Sequence, residues 1–389
     1  MNHRSTPAVG AALGLTLLLA GCSSDPGTPG PTATKDRPHG YVEGAREANE
    51  PQLRLLAVSP DGRTTLHDLL TDERTTLGTV DAPAHSSTDG RFLVTSDDDR
   101  TTITDGGAWT VDHGDHTHYY AARPRVVGRI EGGGATEVHS SETTTTLTWP
   151  GRGTAVAIDR AALGEGRVET LLRVDATVLL PFGDGFVAGR DDSVVELDRD
   201  GRVVGDPVPC SAPTGGIVTR AGAAVGCAGG AVVVHEDGAG AVPLPGGTVG
   251  APTSFAARAD RPTVAGIAGD GGAWLLDVRE RSWRHLDTER PLRAVTAVDD
   301  AEGHVVAVDD AGRVVVTVTA ARTPAARTTS TARLVPADDP VPLQVDAQRA
   351  YVADPDTGAV HEIDFADDAR VARTIDLGRP IAAFAEVGR

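Results

Sequence analysis

Apolar positions along this chain fall in short runs of Val, Ala and Leu, each closed by a polar turn. Leu55-Leu56-Ala57-Val58 leads into Pro60-Asp61-Gly62-Arg63, and Phe92-Leu93-Val94 leads into Asp97-Asp98-Asp99-Arg100. The same alternation returns at Phe186-Val187-Ala188-Gly189, Ala224-Val225-Gly226-Cys227, Val264-Ala265-Gly266-Ile267, His304-Val305-Val306-Ala307 and Ala350-Tyr351-Val352-Ala353. Short β-branched runs separated by Asp-Gly, Gly-Gly and Asp-Asp turns read as hairpins, and no long segment shows helical periodicity with caps. With a degenerate copy around Glu137 to Ile158, eight units recur at intervals of roughly 36 to 47 residues. That spacing predicts an all-β fold, a β-propeller, in which blades too small to bury both faces alone stack around a ring. Eight blades are predicted, and seven if the degenerate copy is an insertion. A pair of β-sandwiches is the competing architecture, disfavoured because the repeat persists to the end of the chain. The low aromatic content predicts blades packed on Val, Ala and Leu rather than Trp.

The first residues break this pattern. Arg4 supplies a basic start, and Ala8 to Ala20 form an apolar run of 13 residues, too short to span a bilayer but suited to a secretory signal. The run ends in Leu19-Ala20-Gly21-Cys22, which resembles the lipobox of bacterial lipoproteins, with Cys22 as the acylated residue. Ser23 to Gly40 are rich in Pro, Gly, Ser and Thr and predict a solvated tether reaching up to about 50 Å. The expected division is therefore a signal peptide over 1–21, a lipidated Cys and linker over 22–40, and a single propeller over 41–389. The expected location is the extracytoplasmic face of the cell membrane, held by lipid.

Charge and cysteines narrow the picture further. A formal charge of −19 argues against nucleic acid, whose phosphate backbone demands a basic surface. Beyond Cys22, the cysteines are Cys210 and Cys227. An oxidising compartment favours a disulfide between them, worth about 3 kcal/mol in the chain-entropy model. Free thiols or thiolate metal ligands are the alternatives, although neither residue sits in a Cys-x-x-Cys arrangement.

Asp112-His113-Gly114-Asp115-His116-Thr117-His118-Tyr119-Tyr120 concentrates three of the twelve histidines in six residues. Neutral imidazole is a preferred zinc ligand. In an extended segment His116 and His118 share a face, and a turn at Gly114 brings His113 toward them. His139 and Glu137 are the nearest candidates to complete a site, although two residues apart on one strand they compete for the same face. A solvated turn between blades is the bland alternative for the segment. The other histidines are spread about one per unit and suggest surface or hydrogen-bonded roles. No nucleophile-elbow Ser, phosphate-cradling Gly loop or His-Glu-x-x-His helix is present, so no enzyme is expected.

Several stretches together resemble the AztD-type zinc metallochaperones, which deliver zinc to a zinc-uptake ABC transporter. They are His39-Gly40-Tyr41-Val42-Glu43-Gly44-Ala45, then Glu50-Pro51-Gln52-Leu53-Arg54-Leu55, the histidine segment, Cys210 with Gly226-Cys227, and Tyr351-Val352-Ala353-Asp354-Pro355. The resemblance runs from residue 39 to the end and implies an extracytoplasmic propeller, expected as a monomer. It further implies that the protein holds Zn(II) through His113, His116 and His118 and passes it to the transporter's solute-binding protein. Two positions depart from that pattern. Ala135-Thr136-Glu137-Val138-His139 stands where a His-containing stretch is expected, and Ser211 to Gly216 carry no His after the first paired Cys. Either Glu137 or His139 would then substitute in the ligand set, or the affinity would be reduced. Two other classes compete with the zinc carrier: a metal-free interaction scaffold at the cell surface, and a lactonase-like enzyme using a divalent ion in the central channel.

Overall fold

The computed structural model describes residues 40–113, 116–246, 250–269, 271–319, 327–337 and 341–389. The expected signal sequence, Cys22 and the linker up to His39 lie outside them, as do Gly114 and Asp115 of the histidine segment. Among the described residues no helix is long and apolar enough to cross a membrane.

The predicted repeat is present as eight antiparallel sheets in chain order. Blade 1 joins Arg54–Val58, Arg63–Asp68 and Arg74–Thr79 to the last strand of the chain, Ala383–Val387. Leu56 pairs with Ala385 and Arg54 with Val387, so the two ends of the domain share one sheet and close the ring without a covalent link. Blade 2 runs His85–Thr88, Phe92–Ser96, Arg100–Asp105 and Arg125–Glu131. Blades 3, 4, 5, 7 and 8 are four-stranded meanders over 137–175, 178–209, 214–243, 292–333 and 343–376. Blade 6 keeps Thr263–Ile267, Ala273–Asp277 and Ser282–Leu286, while its innermost strand shrinks to bridges from Ala256 to Ala265 and from Ala257 to Ala297.

Why the strands read as continuous apolar runs follows from where their faces go. Successive side chains on a strand point to opposite faces, and in a ring of blades both faces are buried. In the Arg54–Val58 strand of blade 1, Leu55 and Ala57 pack toward blade 8, and Leu56 and Val58 toward blade 2. Every one of the eight seams between neighbouring blades holds its own buried cluster. Most clusters are Val, Ala and Leu, as the composition predicts. The seam between blades 2 and 3 adds a buried Trp149, whose indole N–H donates to Thr101 Oγ1 at 2.9 Å. The degenerate third unit is a regular blade in which buried Thr145, Thr146 and Thr148 take positions that Val holds elsewhere.

Cys210 and Cys227 are bonded, with Cα atoms 5.2 Å apart. The disulfide sits buried in the seam between blades 4 and 5, which removes the thiolate-ligand alternative.

Candidate metal centre

One piece departs from the repeat. Between the third and fourth strands of blade 2 the chain leaves the sheet as a hairpin, Ala108–Asp112 and Thr117–Ala121. A short strand from the start of the domain, Arg46–Ala48, adds to its outer edge with Glu47 opposite Tyr120. The His113 amide donates to the His116 carbonyl at 3.0 Å and closes the turn. The hairpin places Val111 opposite His118 and Asp112 opposite Thr117.

The three histidines come together on this hairpin. Their ring centroids lie 4.9 Å apart for His113 and His116, 5.0 Å for His116 and His118, and 5.6 Å for His113 and His118. One nitrogen from each lies within 4.8 Å of the other two. Tetrahedral zinc with bonds of about 2.0 Å needs donors roughly 3.3 Å apart, so modest side-chain rotation completes the geometry. The donor set is chemically suited to zinc, being nitrogen-rich and borderline-soft.

The base of the hairpin is packed against its neighbours. Tyr120, fully buried, stacks on Trp109 at 5.3 Å and lies 6.1 Å from the near-parallel ring of His118. The Arg91 guanidinium covers Trp109 at 3.7 Å and is itself fixed by two bonds to Asp105, at 3.2 and 2.9 Å. From the start of the domain, the Gly40 carbonyl accepts the Trp109 indole N–H at 3.0 Å, while Val42 joins Trp109 and Tyr120 in a separate apolar cluster. Gly40 has φ +73°, and a Cβ there would meet the Val111 side chain at 2.4 Å, so this close approach requires glycine.

The hairpin also reaches across the mouth of the ring. Asp112 pairs with Arg220 of blade 5 at 3.1 Å, and Arg220 donates to the Asp260 carbonyl at 3.1 Å. Beside them opens a cavity of about 720 Å³, lined by His113 together with Trp109, Asp112, Glu142, Arg160 and Asp260. It shares Asp89, Ser140, Asp260 and Arg389 with a second cavity of about 660 Å³. The second is lined by residues of the inner strands, such as Ser87, Val138, Gly216, Val295 and Leu343, and forms part of the central channel. The histidine hairpin thus stands at one mouth of that channel.

Glu137 and His139 are placed differently from the hairpin histidines. Both lie on the innermost strand of blade 3 and line the channel cavity, 3.9 Å apart, sharing a face as their spacing requires. They do not join the three-histidine group. The structure therefore splits the five sequence-predicted residues into a triad and a channel-wall pair.

One residue that sequence reasoning missed stands directly behind the triad. Glu47 Oε1 lies 2.7 Å from His118 Nδ1, across 71 positions of sequence, with no local motif to reveal it. A further His-acid group, Asp300, Glu302 and His304, lies at the turn that enters the blade 7 strand His304–Asp309. Its His304 is buried against Phe365 and bonded through Nδ1 to Asp300 at 2.6 Å. His67 is also buried, within 3.2 Å of Asp72.

Fold and site together define the class: an eight-bladed β-propeller carrying a three-histidine hairpin at its channel mouth. Among solved structures, apo AztD from Citrobacter koseri shares this fold, with a TM-score of 0.69 and 16% identity over 87% of this chain and 99% of that one. Dihydro-heme d1 dehydrogenase NirN matches with a TM-score of 0.56 and 13% identity over 88% of this chain and 76% of that one. Saccharomyces cerevisiae Sqt1 matches with a TM-score of 0.52 and 15% identity, over 79% and 90%. No family model and no curated protein sequence matches the chain.

Proposed function

We propose that this protein is an AztD-type zinc carrier, lipid-anchored outside the cytoplasm, which holds Zn(II) and passes it to the solute-binding protein of a zinc ABC transporter. The observation that carries this reading is the gathering of three imidazole nitrogens within 4.8 Å on one hairpin. The shared fold with AztD and the order of matching sequence stretches support it.

His113, His116 and His118 are the ligands in this reading, and a water or an incoming ligand fills the fourth position. Three protein ligands leave a tetrahedral ion with one exchangeable place. His116 is exposed at the tip of the hairpin, so an acceptor can approach the ion from that side. Transfer then proceeds by stepwise ligand exchange, with no covalent chemistry and hence no catalytic residue. Acylated Cys22 and the linker to residue 40 keep the domain within about 50 Å of the membrane and raise its effective concentration near a transporter.

Transfer kinetics test the proposal. Zinc-loaded protein is mixed with the apo solute-binding protein in the presence of a fast, high-affinity chromophoric chelator. Zinc reaching the acceptor faster than it reaches the chelator is the expected outcome. Delivery only at the rate of spontaneous release to the chelator contradicts a carrier role.

A further inference from the structure

We propose that Glu47 is the positioning residue of the metal centre: it fixes the tautomer and ring orientation of His118, so that site affinity depends on the strand Arg46–Ala48. The inference rests on the zinc reading above and adds the residue that sets the strength of the site.

The geometry carries it in three steps. Glu47 sits opposite Tyr120 on the neighbouring strand, and Tyr120 and His118 share a face two residues apart. Facing residues of an antiparallel pair project to the same side, which brings the carboxylate to the flank of His118. The contact is 2.7 Å from Oε1 to Nδ1, the length of a charge-assisted hydrogen bond.

Glu47 also lies outside the group of mutually close donor atoms formed by the three histidines. It therefore backs the ring instead of sharing the ion. A carboxylate accepting from Nδ1–H commits the proton to that nitrogen and leaves the Nε2 lone pair free for a metal. The same partner removes the rotational freedom that binding would otherwise have to freeze.

The consequence is that the histidine hairpin is not a self-contained site. Its third ligand is held by a three-residue edge strand that enters from the start of the domain, with two of its three residues exposed. Arg46 ties that strand to Gln52 at 3.3 Å, and the strand joins the hairpin through three residue pairs.

Two variants test the assignment, Glu47→Ala and Glu47→Gln, with melting temperature as the folding control. Gln keeps an acceptor oxygen for Nδ1–H and loses the charge; Ala loses both. Zinc affinity is measured by chelator competition, and the His118 tautomer by long-range ¹H–¹⁵N correlation in the metal-free protein. Glu47→Ala is expected to weaken zinc by about 10- to 100-fold and shift His118 toward the Nε2–H tautomer. Glu47→Gln is expected to retain the Nδ1–H tautomer and recover most of the affinity. An unchanged tautomer in Glu47→Ala overturns the assignment, whether or not affinity falls. So does wild-type affinity in that variant. If the wild-type protein bound no zinc, the carrier reading would fail, while the tautomer in the metal-free protein would still report on Glu47 and His118.

Discussion

Blade 5 and the hairpin of blade 2 are both antiparallel sheets, yet they are built on opposite terms. Apart from the terminal Cys227 and His235, the two central strands of blade 5, Gly222–Cys227 and Gly230–His235, are Ala, Val and Gly, and nearly every residue there is buried. These two strands pair without a register shift, and Cys227 among them is spent on the disulfide. The hairpin buries little beyond Trp109 and Tyr120, and its tip holds three histidines. It depends on outsiders for support: Arg91 and Asp105 beneath, Gly40 and Glu47 from the start of the domain, Arg220 from across the ring. The contrast teaches that the repeat supplies a rigid frame, while function resides in the segment that leaves it. Propeller folds host unrelated activities for this reason.

If frame and site are separable, damage to one should spare the other. The largest effect on the frame is expected from Cys210→Ser with Cys227→Ser, which opens the seam between blades 4 and 5. Unfolding by denaturant should show a loss of about 3 kcal/mol, with zinc affinity of the folded protein unchanged. A parallel fall in affinity would break the comparison.

Two buried carboxylates sharpen it through pH. Burial alone would raise Asp89, but Arg160 at 2.5 Å, Ser140 and the Phe92 amide overcome it and bring the carboxyl down to about 2. Its folded value lies below the unfolded 3.8, so its stabilisation is present above pH 3.8 and is lost as pH falls through 2. Asp89→Asn should cost about 2 kcal/mol at pH 7 and steadily less below pH 4, read from melting curves. Glu386 is the reverse case. It lies fully buried on the closing strand, and burial and then Asp346 push its carboxyl well above 4.5, against Arg389. The folded state keeps this proton, so stability from this group is full below pH 4.5 and declines as pH rises beyond it. Glu386→Gln should remove that decline and leave the protein more stable than wild type at pH 8. A variant less stable than wild type at pH 8 would show that the charged form is accommodated.

Much of this was legible in the sequence. Runs such as Leu55-Leu56-Ala57-Val58 mark strands buried on both faces, and their spacing yields the eight units. The third unit was faint because Thr fills β-branched positions in Thr144–Trp149 that Val fills elsewhere, and Thr is polar in any hydropathy pattern. The inner strand of blade 6 carried no signal because it survives only as bridges at Ala256 and Ala257. The histidine segment was visible as chemistry but not as an insertion within a blade, since its strands Ala108–Asp112 and Thr117–Ala121 read locally like any other hairpin of the repeat. Glu47 could not be found at all, because contact across 71 residues leaves no trace in local spacing. Glu137 and His139 drew attention by proximity in sequence, whereas the strand they occupy faces the channel.

Zinc stoichiometry by native mass spectrometry tests the central claim most directly. It compares wild-type protein with His116→Ala plus His118→Ala after loading and removal of loose metal. One zinc per chain in the wild type and none in the doubly substituted protein, with equal melting temperatures of the metal-free forms, is the expected result. Equal zinc in both proteins, or none in the wild type, would contradict the account.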